Sequence, residues 1–404
     1  MLVFKLRNLA LLNFRQLLID ISLEIPSIID MKTNPFSYGV IVTGEDYCPR
    51  TSLEKTVRSN FLSGQNMALH GERRIGKTSL ITNVAKKLPK KRLVYVDFLF
   101  VNNPMDVVER IAQAVLETAN ASGFLKTAMS AFSSLRPTMS FDPFNGAPTF
   151  SLTNTSDSHY TPKTIEEALQ TIYSLNEKQN LVVIFDEFQD ILRIPQSPEI
   201  LAKMRSRIQF QSKLSYAFTG SHRSKMEQIF SNPDNPFYKS AMTIAMDPIS
   251  GDDLWAFLTE KFKKSGIRAA SDLRPAIEEL KIEATGDIQQ LCKMIWDIAA
   301  ERNLKKADNS LVSPAIEAVF GIEKSGYDDI ASSISPSQLK LLKGMAKMGT
   351  GNIYSNEFRE GSSLISSSTI TSACKGLEQR RVIYKKRNVW KIDSPFFRLW
   401  LSRI

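Results

Sequence analysis

The chain has 404 residues, 43% of them hydrophobic, which excludes a disordered chain and calls for two or three globular domains rather than one core. Its formal net charge of +10 is uneven: residues 335–404 hold thirteen Lys/Arg against four Asp/Glu, a net of +9, so the basic character sits in a C-terminal module. Three widely separated cysteines (Cys48, Cys292, Cys374) and only three histidines exclude a disulfide framework and a zinc cluster, and fit a reducing, cytoplasmic setting.

Residues 1–30 are apolar but interrupted by Lys5, Arg7, Arg15 and Asp20. No uncharged run approaches the roughly 18 residues of a membrane span, so no membrane association is expected. Turn-forming sequence begins at MKTNPFSYG, so residues 1–33 read as an N-terminal extension, either an over-extended reading frame or a loosely packed helix. In TSLEKTVRSNFLSG, Thr51 and Glu54 have capping-box spacing, Leu53, Val57 and Phe61 share a face, and Gly64 stops the helix. A strand, NMALHG, then runs into GERRIGKTS, and KTSLITNVAKKL continues as a helix with Leu80, Ile81, Val84 and Leu88 on one side. RLVYVDF, LVVIFD, LSYAFTG and AMTIAM are further apolar runs between helical stretches. Such alternation predicts an α/β core, residues 34–247, with a parallel sheet covered on both faces.

Within it, residues 132–164 are rich in Ser, Thr, Pro and Asn, and PTMSF and PTFSL flank FNGA. This predicts a surface β-hairpin, whose Phe132, Phe141, Phe144 and Phe150 either meet a partner or pin it to the core. Four helical segments follow Pro248 and predict a lid over residues 248–330. Residues 331–404 offer three helices and two short strands, VIYK and VWKID, around KRN, the winged variant of helix-turn-helix.

The stretch 71–79 matches GxxxxGK[ST], in which glycines let backbone N–H groups turn inward around phosphates at a helix N-terminus. Gly71, Glu72, Arg73, Arg74, Ile75, Gly76, Lys77, Thr78 and Ser79 are thus expected to bind ATP, with Lys77 on the β- and γ-phosphates and Thr78 on Mg2+. LVVIFDE ends a buried strand in two carboxylates. Strand alternation is expected to turn Asp186 toward the metal and Glu187 toward the attacking water as general base. In FTGSHR, Thr219 or Ser221 could hold the water or γ-phosphate, and His222 or Arg223 could sense it. His222 is not expected to bind metal, with only His70 and His159 elsewhere.

In the C-terminal module, Lys385, Lys386 and Arg387 fall at the wing tip, and Arg380 and Arg381 end the third helix. They suit contacts to duplex DNA, while Ser367, Ser368, Thr369, Thr371 and Lys375 could reach a groove. The alternative is a winged helix serving as an internal clamp or a protein-docking module.

Together NPFSYG, SGQNMALHGERRIGKTSLI, IFDEFQDI, TGSHRSKM, NPFYKSA and SPFFRLWL resemble the archaeal-type ATPase group of the AAA+/STAND class, over about residues 34–404. The resemblance implies a five-stranded core with the DE strand third, a helical lid and a winged helix. It also implies ATP binding and hydrolysis that switch lid and wing. The chain departs from the pattern at three places. Tyr47-Cys48-Pro49-Arg50 replaces a Gly-Arg-Glu box, keeping Arg50 for the nucleotide site; Gly286-Asp287-Ile288 replaces Gly-x-Pro; and Lys239 replaces an arginine. Two functions follow: an ATPase coupled to a DNA-reading winged helix, or a slow signalling switch acting on a protein partner. Oligomerisation is left open, as is whether Arg193, Arg205 or Arg207 serves a neighbouring subunit.

Overall fold

The computed structural model describes residues 33–404 apart from 122, 133–136, 142–147, 153–161, 365 and 387. The expectations for residues 1–32, Phe144, His159, Arg387 and the side chain of Phe150 therefore lie outside the described residues. Five apolar runs form one parallel sheet: β1 (Met67–His70), β2 (Arg92–Asp97), β5 (Leu181–Asp186), β6 (Ser215–Gly220) and β7 (Met242–Ala245), in the order β2-β5-β6-β1-β7. The intervening β3 (Pro137–Phe141) and β4 (Pro148–Leu152) pair antiparallel as the expected hairpin. All residues of β1, β5 and β6 are buried, as helices on both faces require. One face packs Val94, Val183, Phe185 and Phe218 under helices 104–121, 162–179 and 197–208; the other packs Leu69, Val182 and Ile184 under helices 51–63 and 77–86. The C-terminal ends of β1, β5 and β6 share one edge, where ligands of open α/β sheets bind.

Helix Thr51–Ser63 stops at Gly64 in the left-handed region, as expected. Its cap differs: Arg50, not Thr51, is the N-cap, and Glu54 reaches back to accept the Arg50 backbone N–H at 2.9 Å. The lid helices are Gly251–Lys264, Leu273–Glu278, Thr285–Glu301 and Val312–Ser333. The last runs through Gly326 because Tyr327 is buried against Phe397 and Trp400, at centroid distances of 5.2 and 5.6 Å. The winged helix consists of helices 336–348, 356–361 and 367–379, strands 383–386 and 389–392, and a closing helix 395–401. Ser335, Ser355, Ser366 and Ser394 each cap a helix there by accepting the N–H three residues on. Lid and winged helix share one apolar core, joining Leu258, Phe262 and Leu291 to Leu341, Leu377 and Phe396. Phe36 and Cys48 reach into it from the N-terminal side. Among the described residues no helix is long and apolar enough to cross a membrane.

Candidate nucleotide site

The loop leaving β1 enters helix Lys77–Lys86 through Gly76, whose φ of 90° lies in the left-handed region that glycine adopts without strain. Beside it opens a cavity of about 730 Å3, lined by Gly76, Lys77, Thr78, Asp186 and Glu187 and faced by the exposed Val40 and Ile41. A second cavity of about 960 Å3 adjoins it at Tyr47, Cys48 and Arg50 and holds none of the P-loop side chains. Lys77 is buried, and its Nζ donates to the carbonyls of Gly71 (3.0 Å) and Glu72 (2.7 Å). Burial pushes its pKa down against the opposing charges of Glu187 and Asp186.

Asp186 accepts from four donors. Thr78 Oγ1 (2.7 Å) and the Tyr95 hydroxyl (2.9 Å) meet Oδ2, while the Thr219 hydroxyl and the Glu187 N–H (3.0 Å) meet Oδ1. Tyr95 escapes sequence reading because nothing in RLVYVDF marks it; the register placing Tyr95 beside Ile184 brings it there. Burial and then the Asp186 charge raise the Tyr95 phenol pKa, so it remains a donor. A threonine hydroxyl touching a carboxylate at the start of a helix is an oxygen donor set suited to a hard divalent cation.

Alternation along a strand does not place Glu187. β5 ends at Asp186, and Glu187 has left-handed backbone (φ 48°, ψ 38°) at the head of the 3-10 turn Phe188–Arg193. That conformation costs roughly 1–2 kcal/mol. It is offset by burial of the Phe188 ring, worth about 1.5–3 kcal/mol, which lies parallel to Phe185 (9°, 6.1 Å) and 4.6 Å from Phe218. The Glu187 carboxylate still reaches the cavity, with Oε2 accepting from Ser221 Oγ (2.7 Å) and Gln189 Nε2 (2.5 Å). Of the sensor candidates, then, Thr219 bonds Asp186 and Ser221 bonds Glu187, whereas Arg223 pairs with Glu227 at 2.7 Å and does not line this cavity. The His222 pKa is pushed down to about 4 by burial and then by Lys225, Arg73 and Arg381.

Arg50 braces the loop, donating to the Ile75 (2.9 Å) and Asp247 (2.6 Å) carbonyls. The lid touches the loop apex: the Gly286 N–H donates to the Arg74 carbonyl (2.9 Å), and Arg74 pairs with Asp287 (2.7 Å). Burial pushes the Asp287 pKa up to about 6, with Arg74 opposing.

The winged helix also folds onto the loop, and of the residues expected to suit DNA it engages Lys386 and Arg381 in ion pairs. Lys386 pairs with Glu72 and, at 2.6 Å, with Glu283; Lys391 joins Glu283 at 2.6 Å; Arg73 meets Asp393 at 3.2 Å. Arg381 is bound to the buried Asp190, and Arg380 donates to Ser333 Oγ at 3.2 Å. The reason is local charge: Glu72, Glu283 and Asp190 face the wing. Lys385 lies over the Trp390 ring at 5.5 Å, and Lys375 is exposed on helix 367–379. Gln189 and Asp190 were missed because polar residues after a strand look like an ordinary turn; both are fully buried. On the hairpin side, Phe132 is buried and Phe141 is 62% exposed. Arg207 pairs with Glu166 at 3.1 Å, and Arg193 lies 5.4 Å from the Phe100 ring centre.

Residues 62–229 match the family model described as an AAA domain, and residues 325–403 one described as a probable winged helix domain. A Walker-type ATPase of Pyrococcus abyssi is similar in structure, at 17% identity over 92% of this chain and 100% of that one, with a TM-score of 0.62. The ORC1 protein of Aeropyrum pernix, in complex with DNA, matches at 13% identity over 93% and 95% with a TM-score of 0.51. The ORC2 protein of that organism, in ADPNP-ADP complexes, matches at 13% over 89% and 95% with a TM-score of 0.50. At these identities the likeness speaks for the fold. No curated protein matches the sequence.

Proposed function

We propose, from the match of residues 62–229 to an AAA domain and of residues 325–403 to a probable winged helix domain, that the chain is an ATPase of the archaeal-type P-loop group that binds ATP with Mg2+ and hydrolyses it to move the winged helix. The observation that carries this is the meeting of Thr78 and Asp186 in a cavity that also holds Lys77 and Glu187. Lys77, with the N–H groups of residues 71–79, binds the phosphates. Bound at Thr78 and Asp186, Mg2+ would neutralise phosphate charge. Glu187 takes the proton of the attacking water as its oxygen bonds the γ-phosphorus and the bridge to ADP breaks. The units that move are residues 34–247, carrying the site, against 248–330 and 331–404. Lys77→Ala is expected to abolish ATP binding in a fluorescent-nucleotide titration. Glu187→Gln is expected to bind ATP but to lose about 100-fold or more in turnover, the usual contribution of a general base. Equal rates in wild type and Glu187→Gln would show that the base is elsewhere.

The net charge of the module supports contact with DNA, which we assign to the exposed Ser367, Ser368, Thr371 and Lys375 of helix 367–379 and the exposed Lys385 of the wing rather than to the paired Lys386 and Lys391. Salt-dependent binding of random duplex tests it, and no binding at low salt would reject it. The exposed Phe141 favours a second reading, a protein partner at the hairpin, for which nucleotide acts as a latch.

A further inference from the structure

At the seam between winged helix and sheet lies a charged pair with almost no solvent access, for which ATP hydrolysis alone has no use. Arg381, in left-handed backbone (φ 59°) between helix 367–379 and the wing, has a side chain only 8% exposed. Its Nη2 donates to both oxygens of Asp190, to Oδ1 at 2.5 Å, and Asp190 is fully buried. The pair is fixed: Asp190 Oδ2 also takes the Phe100 N–H at 2.9 Å, and the guanidinium lies 4.6 Å from the centre of the Phe100 ring. Between Asp190 and Glu187 stands Gln189, buried as completely. Its Nε2 donates to Glu187 Oε2 at 2.5 Å and reaches Asp190 Oδ1 at 3.3 Å. Both neighbours are carboxylates, so the amide must present its nitrogen to them; its Oε1 has no partner that would turn it otherwise.

We propose that Arg381 is a positioning residue for the hydrolytic base: while the winged helix is docked, Arg381 matches the charge of Asp190 and leaves the Gln189 amide to restrain Glu187, and undocking releases the base. This rests on Glu187 being that base. The amide nitrogen carries two hydrogens, one for each carboxylate, so what the two acceptors decide between them is where it sits: the stronger acceptor takes the short bond and the other is left with a long one. With Arg381 in place, Asp190 is already neutralised, and the shorter bond goes to Glu187. Without the guanidinium, Asp190 is an uncompensated buried anion and draws the amide toward itself. Among the described residues Glu187 then keeps Ser221 alone of its two side-chain donors and is free to take a proton from water. The winged helix is thereby wired to the catalytic step without touching nucleotide.

The test is steady-state kcat with a separate nucleotide Kd for the full-length wild type, Arg381→Gln, Arg381→Lys, Gln189→Met and the double variant Arg381→Gln/Gln189→Met. Arg381→Gln and Gln189→Met are each expected to raise kcat roughly tenfold, what one hydrogen bond to a charged base is worth, with Kd unchanged within about twofold. Arg381→Lys, which keeps a cation beside Asp190, should stay near wild type. The double variant should be no faster than either single one, because both cut the same relay. Unchanged or lowered kcat in both single variants overturns the proposal, and so does a double variant in which the two effects multiply. Gln189→Met leaves Arg381 in place, so an unchanged or lowered kcat in it overturns the proposal by itself even if Arg381→Gln fails to fold. Glu187→Gln separates the failures: if it is inactive while the single variants match wild type, the relay alone falls; if it turns over normally, the base assignment falls and takes the relay with it.

Discussion

Asp287 shows how a single residue at the lid edge reports on burial. Its pKa is raised from 3.8 to about 6, chiefly by burial, with the Arg74 charge only partly offsetting the cost. The folded protein therefore holds this proton more tightly than the unfolded chain, and stability from this group falls as pH rises from about 4 to about 6. The shift amounts to about 3 kcal/mol as an order of magnitude. Asp287→Asn removes the titration, so urea midpoints at pH 4, 5, 6 and 7 should show the wild type losing ground to the variant across that window and no further change above it. Parallel midpoints would show that Asp287 ionises freely. At this scale Lys77, Thr78 and Asp186 were legible because each motif is contiguous in sequence. Tyr95, Gln189 and Arg381 were not, since a hydroxyl on a strand, a polar turn residue and one more arginine in a basic module gain meaning only from partners far along the chain.

Among the elements, the three central core strands were legible because strands buried on both faces read as unbroken apolar runs, and the two edge strands, only partly buried, by their place between helical stretches. The turn after β5 was not, because the period-two argument stops where the strand does, one residue before Glu187. The lid helix Thr285–Glu301 has the clearest consequence. It begins against the loop apex, with the Gly286 N–H on the Arg74 carbonyl, and a Cβ at Gly286 would lie 3.1 Å from that oxygen and 3.2 Å from the Arg74 Cβ. Arg74 itself has left-handed backbone (φ 58°), so the apex leans on this contact. Gly286→Val should push the helix start off the loop, with faster amide exchange at residues 73–76 and ATP affinity weakened about three- to tenfold, the worth of about one backbone hydrogen bond. Unchanged exchange and affinity would mean that the lid merely rests against the loop.

For the whole molecule, the shared apolar core makes lid and winged helix one body, set against a sheet with cores of its own. That union was invisible in sequence, because apolar faces on separate helices do not name their partners. The two bodies are joined by pairs of unequal weight. Arg73–Asp393 and Lys386–Glu72 are partly exposed and worth about 0–1 kcal/mol each, whereas removing Arg381 from the buried Arg381–Asp190 pair costs about 3–5 kcal/mol, because it leaves Asp190 buried and unpaired. Docking thus depends on Arg381 and the apolar contacts, and the surface pairs decide only what the wing lysines touch. Glu72 and Glu283 occupy Lys386 and Lys391, leaving neither lysine free to pair with another anion. Glu72→Gln/Glu283→Gln should therefore leave the winged helix docked while freeing both lysines, raising affinity for random duplex DNA at low salt and steepening the log-log salt slope by about one to two. Lys375→Ala should weaken binding in either background, since that side chain is exposed from the start. If the double variant binds duplex no better than wild type and its salt slope is the same, the wing is a clamp only, and the basic charge of the module serves the contact between the two bodies.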